Sequence, residues 1–159
     1  MELRWNRSKP CGMMNVSLWT RNYQRGARYD MQRKYAGIGA VVMLLAVALG
    51  AFGAHILKER IGESAIGTFE TGVHYQMIHG IAILLAALFA GKWGESRRLL
   101  WSGRLFLIGV ILFSGSLYGL AGLDWRWLGP VTPLGGVAFL GGWLLLALEA
   151  WKGASKAGA

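Results

Sequence analysis

The sequence predicts an all-α integral membrane protein: a four-helix bundle of up-down topology with both termini cytoplasmic. Three observations carry that expectation. Four long stretches contain no Asp, Glu, Lys or Arg. Hydrophobic residues make up 54% of the 159 residues and charged ones 16%, against roughly 25% charged in a soluble domain. The basic residues, 17 against 8 acidic, gather beside alternate loops. The same arithmetic excludes other classes. The chain is too apolar to be disordered, its single cysteine, Cys11, excludes a disulfide scaffold, and 24 Gly with 3 Pro and no period of three exclude a collagen.

Residues 1–34 read as a basic N-terminal tail, polar and without helical periodicity. Two origins stay open: a disordered tail, or an over-extended gene start ahead of Met31, which opens MQRKYAGIGAV. An Arg-rich, acid-poor leader also fits a mitochondrial transit peptide, whereas the length of the lead and of the apolar run after it fits a cleaved signal peptide less well. Residues 35–151 form the membrane domain, with spans at about 35–57, 71–91, 104–123 and 130–150, and 152–159 form a C-terminal tail. The charge-free cores of these spans measure 23, 21, 19 and 22 residues (Tyr35–Leu57, Thr71–Gly91, Leu105–Leu123 and Trp127–Leu148). Each exceeds the ~18 that mark a transmembrane candidate, about 20 being needed to cross ~30 Å of hydrocarbon.

The first span carries no polar side chain between residues 36 and 54, where a helix on a soluble core would show a polar stripe. The second contains IAILLAALFA at 81–90, apolar on every face. Ile61, Ala65 and Phe69 recur at i, i+4 and i+8, so this helix is expected to begin near Ser64, although Gly62 and Gly67 weaken that start. The third runs through SGSLYG. The fourth opens after Pro130 and Pro133, which suit the first turn of a helix. Small residues recur at helix-neighbour spacing: Ala46/Gly50/Ala54, Gly115/Gly119, and Gly135 and Gly136 against Gly141 and Gly142. They predict close intramolecular packing, because the hydrophobic effect does not drive helices together in lipid. Trp93, Trp101, Trp125, Trp127 and Trp151 stand near span ends, as an interfacial belt requires. Trp143 lies inside the fourth span and reads as ordinary packing or lipid contact.

Four spans put both termini on one side. That side carries 14 basic and 4 acidic residues, about +10, and the other carries 3 basic and 4 acidic, about −1. The positive-inside rule then makes the terminal side cytoplasmic. Without the first 30 residues the basic count is 8 against 3, so the orientation stands. The positive charge therefore reports orientation, and attraction to anionic lipid, and predicts no nucleic-acid partner.

Four strings carry a family resemblance: LGAFGAHILKERI at 49–61, FETGVHYQMIHG at 69–80, LFSGSLYGL at 112–120 and PLGGVAFLGGW at 133–143. In this order, one per helical region, they resemble the YgdD/YwdK-like family of small bacterial membrane proteins of unknown function, which has a distant animal mitochondrial relative. The resemblance covers about residues 35–150. It implies a four-helix protein of the bacterial inner membrane, or alternatively of a mitochondrial membrane, and it implies no reaction.

The polar side chains within the spans concentrate toward the outer face: His55, Tyr75, Gln76, His79, Ser114, Ser116 and Tyr118 form a candidate pocket. A conduction path needs polar lining across the whole thickness, and residues 36–45, 81–90, 105–113 and 139–148 offer almost none. His79 is the strongest candidate. It shares a face with Thr71 and Tyr75, ~12 Å beyond Thr71 at 1.5 Å per residue, and an ionisable group at that depth needs a partner. The bland alternative is a neutral imidazole hydrogen-bonded to a serine or tyrosine of a neighbouring helix, and for His55 an interfacial residue. Other chemistry is weakly supported. Glu70 and His74 can share a face, but His74 and His79 lie about 140° apart, which no zinc pattern requires. SGSLYG lacks a strand–turn–helix elbow, and the GxxG at 50–53 follows no strand. The expectation is a non-enzyme with no cofactor and no metal. Its partners are the lipid bilayer and, at most, another membrane protein or further copies of itself. A transporter or small-ligand-binding protein using the His55/His79 pocket is the rival.

Overall fold

In hydrocarbon every backbone N–H and C=O must find a partner within its own segment, and a helix is the local solution for one chain segment. The computed structural model describes residues 16–157, with side chains over 32–152, and among these residues there is no strand. The order is α1 (Val16–Phe52), a π-helical turn at Gly53–Leu57, α2 (Glu63–Trp93), α3 (Arg97–Gly109), a second π-helical turn at Val110–Ser114, α4 (Gly115–Leu123), a short 3-10 turn at Arg126–Leu128, and α5 (Val131–Ala157). The α3–α4 pair with its π turn forms one continuous span.

Among the described residues four segments are long and apolar enough to cross a membrane: Gln32–Leu57, Glu63–Trp93, Arg97–Leu123 and Arg126–Lys152. The shortest has 26 residues, ~39 Å at 1.5 Å per residue, which leaves room for tilt across ~30 Å of hydrocarbon. Each of the four apolar stretches read from the sequence lies inside one of them. The second helix begins at Glu63, one residue from its expected start. α1 is helical from Val16, upstream of its membrane segment. Residues 1–15, with Cys11, lie outside the described residues.

The breaks between spans have local causes. Gly94 ends α2 at φ 88°, a left-handed conformation that glycine adopts without a Cβ clash. Ser96 then caps α3, its hydroxyl accepting the Leu99 N–H at 3.2 Å. Asp124 closes α4 at φ 52°, and the Trp125 N–H returns to the Gly119 carbonyl at 3.1 Å, a helix-terminating 6→1 bond.

α2 is the central helix. α1 packs against it on one side, the α3–α4 span and α5 on the other, and α3 and α5 form a second close pair. Small residues set these approaches. A Cβ on Gly39 would come 2.8 Å from Leu84 and 3.2 Å from the Gly80 carbonyl. One on Gly142 would come 2.6 Å from the Phe106 ring. Phe106 and Ile83 are fully buried at the centre of the main core, with Val42, Phe139 and Leu146 around them. A smaller core of Phe69, Val73 and Ala121 sits nearer the loop joining α1 and α2. Trp93, Trp101, Trp125, Trp127 and Trp151 are all exposed at span ends.

Candidate functional site

α2 presents two polar stripes. Gln76 faces α1 and α4, while Tyr75 and His79, one turn apart, face α5. His79 is next to Ile78, the middle residue of α2.

Gln76 is buried and uses both ends of its amide. Its Nε2 donates to the Val42 carbonyl of α1 at 2.9 Å, and its Oε1 accepts the Tyr118 hydroxyl of α4 at 2.8 Å. One side chain thereby ties three helices. His79 is also buried, at 4% exposure. Trp143 of α5 donates its indole N–H to His79 Nε2 at 3.2 Å, and His79 Nδ1 lies 2.8 Å from the Tyr75 carbonyl. Indole is a donor only. Nε2 must therefore present its lone pair, Nδ1 must carry the hydrogen and donate it to Tyr75, and the imidazole is neutral. Phe139 stacks flat on the ring, centroids 3.4 Å apart and planes 9° apart, and Phe106 approaches at 5.7 Å.

The serines divide. Ser116 donates to the Phe113 carbonyl at 2.8 Å and is hydrogen-bonded to the Thr132 hydroxyl at 2.7 Å, which links α4 to α5. Ser114, on the second π turn, is fully buried and its hydroxyl has no hydrogen-bond partner. Tyr75 is 40% exposed and packs on Phe113, centroids 4.4 Å apart. His55 is exposed on the first π turn.

Five of the seven residues proposed from the sequence thus fall in three places, and Ser114 and His55 stand apart from them. Gln76 and Tyr118 are bonded to each other; Tyr75 and His79 share the α5 side of α2; Ser116 reaches Thr132. A cleft of about 540 Å³ between α2, the third span and α5 is lined by Tyr75, His79, Phe113 and Trp143 among others, and His55 is not part of it.

Three contributors escaped sequence reasoning. Trp143 is the partner of His79, where a serine or tyrosine was expected and Trp143 itself read as packing or lipid contact. Ser102 is fully buried and donates to the Gly142 carbonyl at 3.0 Å, tying α3 to α5. Tyr35 donates to the Leu100 carbonyl at 3.1 Å, tying α1 to α3. Ser102 and Tyr35 fall at the edges of the apolar stretches, where a polar residue draws no notice. The usable signal for Trp143 was its presence in mid-span, since a buried indole N–H needs an acceptor.

Charged groups stay at the ends. Arg98 lies 3.9 Å from Glu149 and donates to the Leu148 carbonyl at 3.3 Å, and Arg126 meets Asp124 at 3.2 Å on the surface. Among the described residues no three of His, Cys, Asp and Glu are grouped to hold a metal ion.

The family described as "Protein of unknown function (DUF423)" matches residues 49–136. The chain is 42% identical over 115 residues to the UPF0382 membrane protein YwdK of Bacillus subtilis, an alignment covering 72% of this chain and 94% of that one. It is 44% identical over 111 residues to the UPF0382 inner membrane protein YgdD of Escherichia coli, covering 70% and 84%. With a UPF0382 membrane protein of Haemophilus influenzae it shares 42% identity over 125 residues, covering 79% and 99%. No solved structure matches the chain significantly.

Proposed function

The chain belongs to the DUF423 (UPF0382) family of uncharacterised multi-pass membrane proteins, and we propose that this inner-membrane protein works without catalysis. It is a cross-braced helical scaffold acting through lipid or through a protein partner in the membrane. One observation carries this reading: both nitrogens of His79, a buried ionisable side chain at the middle of α2, are engaged, Nε2 by Trp143 and Nδ1 by Tyr75. A group that binds a metal, a ligand or a proton needs a lone pair to offer, and that of His79 is spent on a neighbouring helix. Other buried polar side chains also join helices: Gln76 ties α1, α2 and α4, Ser102 ties α3 to α5 and Ser116 ties α4 to α5, whereas Ser114 has no partner.

The decisive variant is His79→Phe, which keeps an aromatic ring against Phe139 and has no nitrogen. It is expected to complement a deletion strain as fully as the wild-type chain. Failure to complement, with the protein folded and inserted at normal levels, would overturn the scaffold reading. It would favour the rival, a small-ligand or transport site in the 540 Å³ cleft that His79 and Trp143 line.

Both termini are assigned to the cytoplasm. The support is the charge bias of about +10 against −1 read by the positive-inside rule. It is also supported by the grouping of Arg33, Lys34, Lys92, Arg97 and Arg98 at one end of the bundle, where Gln32 lies against Gly91 and Tyr35 reaches Leu100. A cysteine introduced near Lys58 should react with a membrane-impermeant maleimide added outside spheroplasts, and one introduced near Lys152 should react only after lysis. The opposite pattern would invert the topology.

A further inference from the structure

We propose that the outward face of α3 at its first two turns, formed by Arg97, Trp101 and Arg104, is a binding site for the phosphate headgroup of an anionic phospholipid. The site names the lipid through which the scaffold acts. It rests on that reading, and on the topology above for the leaflet, the cytoplasmic one.

The three residues follow one another at i, i+4 and i+7, so they share one face of the helix. All three are exposed, whereas Leu99, Ser102 and Phe106, on the opposite face, are buried in the bundle. The face therefore looks out to the bilayer. Arg104 is the last charged residue before Leu105–Leu123. Those 19 residues measure ~28 Å at 1.5 Å per residue, nearly the whole ~30 Å of hydrocarbon. Arg104 thus stands at the hydrocarbon edge, the level of the lipid phosphates and glycerols. Ile108, one turn further along the same face, is exposed as well, and an acyl chain of the same lipid can lie along it.

Two observations say what covers this face. The first is unpaired charge. Among the described residues neither Arg97 nor Arg104 is ion-paired or hydrogen-bonded to the protein. Glu149 is turned to Arg98, on the α5 side of the helix, and Glu95 in the preceding loop reaches neither arginine. A guanidinium has five N–H donors to fill and no acceptor, and at a lipid surface the phosphate oxygens match its planar fork. The second is position. The Arg104 guanidinium carbon lies 5.1 Å from the centroid of the Trp101 ring. Trp101 is one turn nearer the start of α3, so the arginine is drawn back from the hydrocarbon toward Arg97 and the headgroups. The indole face holds the cation in place and leaves its edge donors free for an anion. Two positive charges with no carboxylate beside them favour a headgroup of net negative charge. They repel the cation of a zwitterionic one.

The test uses the full chain in mild detergent, with native mass spectrometry of bound lipid after equilibration with phosphatidylglycerol or phosphatidylcholine of identical acyl chains. The wild-type chain is expected to retain phosphatidylglycerol and to lose phosphatidylcholine. Each basic residue near an anionic surface is worth roughly five-fold in affinity. Arg104→Gln should therefore weaken retention of phosphatidylglycerol about five-fold, and Arg97→Gln with Arg104→Gln about twenty-five-fold. Arg104→Lys keeps the charge without the planar fork and should fall between the wild type and Arg104→Gln. Trp101→Leu should weaken retention about two- to five-fold, the worth of an exposed cation–π contact. Lys58→Gln removes one positive charge at the opposite end of the bundle and should retain lipid as the wild type does. Equal retention of the two lipids, or full retention by the folded double variant, would overturn the proposal. A loss in Lys58→Gln as large as that in Arg104→Gln would do the same, because retention would then follow total charge. So would a wild-type dimer that binds no lipid and dissociates on Arg104→Gln, since an acidic side chain of a second copy would then be the partner. None of these outcomes touches complementation by His79→Phe or the maleimide labelling, so the scaffold reading and the topology stand or fall separately.

Discussion

Gly135→Ala is expected to destabilise the folded bundle by about 2–3 kcal/mol, the upper range of overpacking in a filled core, while the adjacent Gly136→Ala leaves it unchanged or up to about 1 kcal/mol more stable. The two glycines are indistinguishable by composition and differ by 100° around α5. A methyl on Gly135 would overlap the backbone N of Phe113 and lie 2.8 Å from its Cα. A side chain could rotate away; a helix backbone cannot, so α5 must move off the third span. That movement stretches the 2.7 Å contact between Ser116 and Thr132 and loosens the ring stack at His79. In a bilayer no hydrophobic effect compensates for separated helices. A methyl on Gly136 meets nothing within 4 Å, and Ala is the better helix former by about 0.8–1.0 kcal/mol. Reversible unfolding of both variants in mixed micelles checks the contrast. Equal effects of the two substitutions would mean that α5 is rotated from the orientation described.

His79→Ala is the second large effect, a loss of about 3 kcal/mol. Truncation removes a ring stacked flat on Phe139 and leaves a cavity, typically 2–5 kcal/mol for a large core side chain. It also strands the Trp143 indole N–H without its acceptor. His79→Phe restores the stack and should recover more than half of the loss. The hydrogen bond itself is the smaller share. A double-mutant cycle of His79→Phe with Trp143→Phe should return about 0.6 kcal/mol and no more than about 1.7, the range for interhelical bonds in membranes. A coupling near zero would show that the indole bonds elsewhere in the bilayer-embedded protein. A truncation that leaves stability untouched would show that the stack contributes nothing.

The spans themselves were legible from the chain because crossing hydrocarbon imposes length and apolarity that few soluble segments share. The start of α2 was placed within a residue by the spacing of Ile61, Ala65 and Phe69. His79 stood out as an ionisable residue at depth, and a neutral, hydrogen-bonded imidazole was one of its two expected states. The identity of its partner was not legible. α5 is apolar nearly all round, so no amphipathic stripe announces which face is buried; Trp143 and Leu140 look alike until the rotation of the helix is known.

The same reason divides what each level of description settled. Hydropathy and length along the chain were enough for an all-helical membrane protein with four spans, because those properties depend on each segment and its solvent alone. Which of Gly135 and Gly136 admits the neighbouring backbone, that Gln76 joins Val42 to Tyr118, that His79 meets Trp143, and that His55 stands apart from them all depended on the rotation and register of one helix against another. Those are set by packing between segments distant in sequence, and packing exists only once the helices have come together.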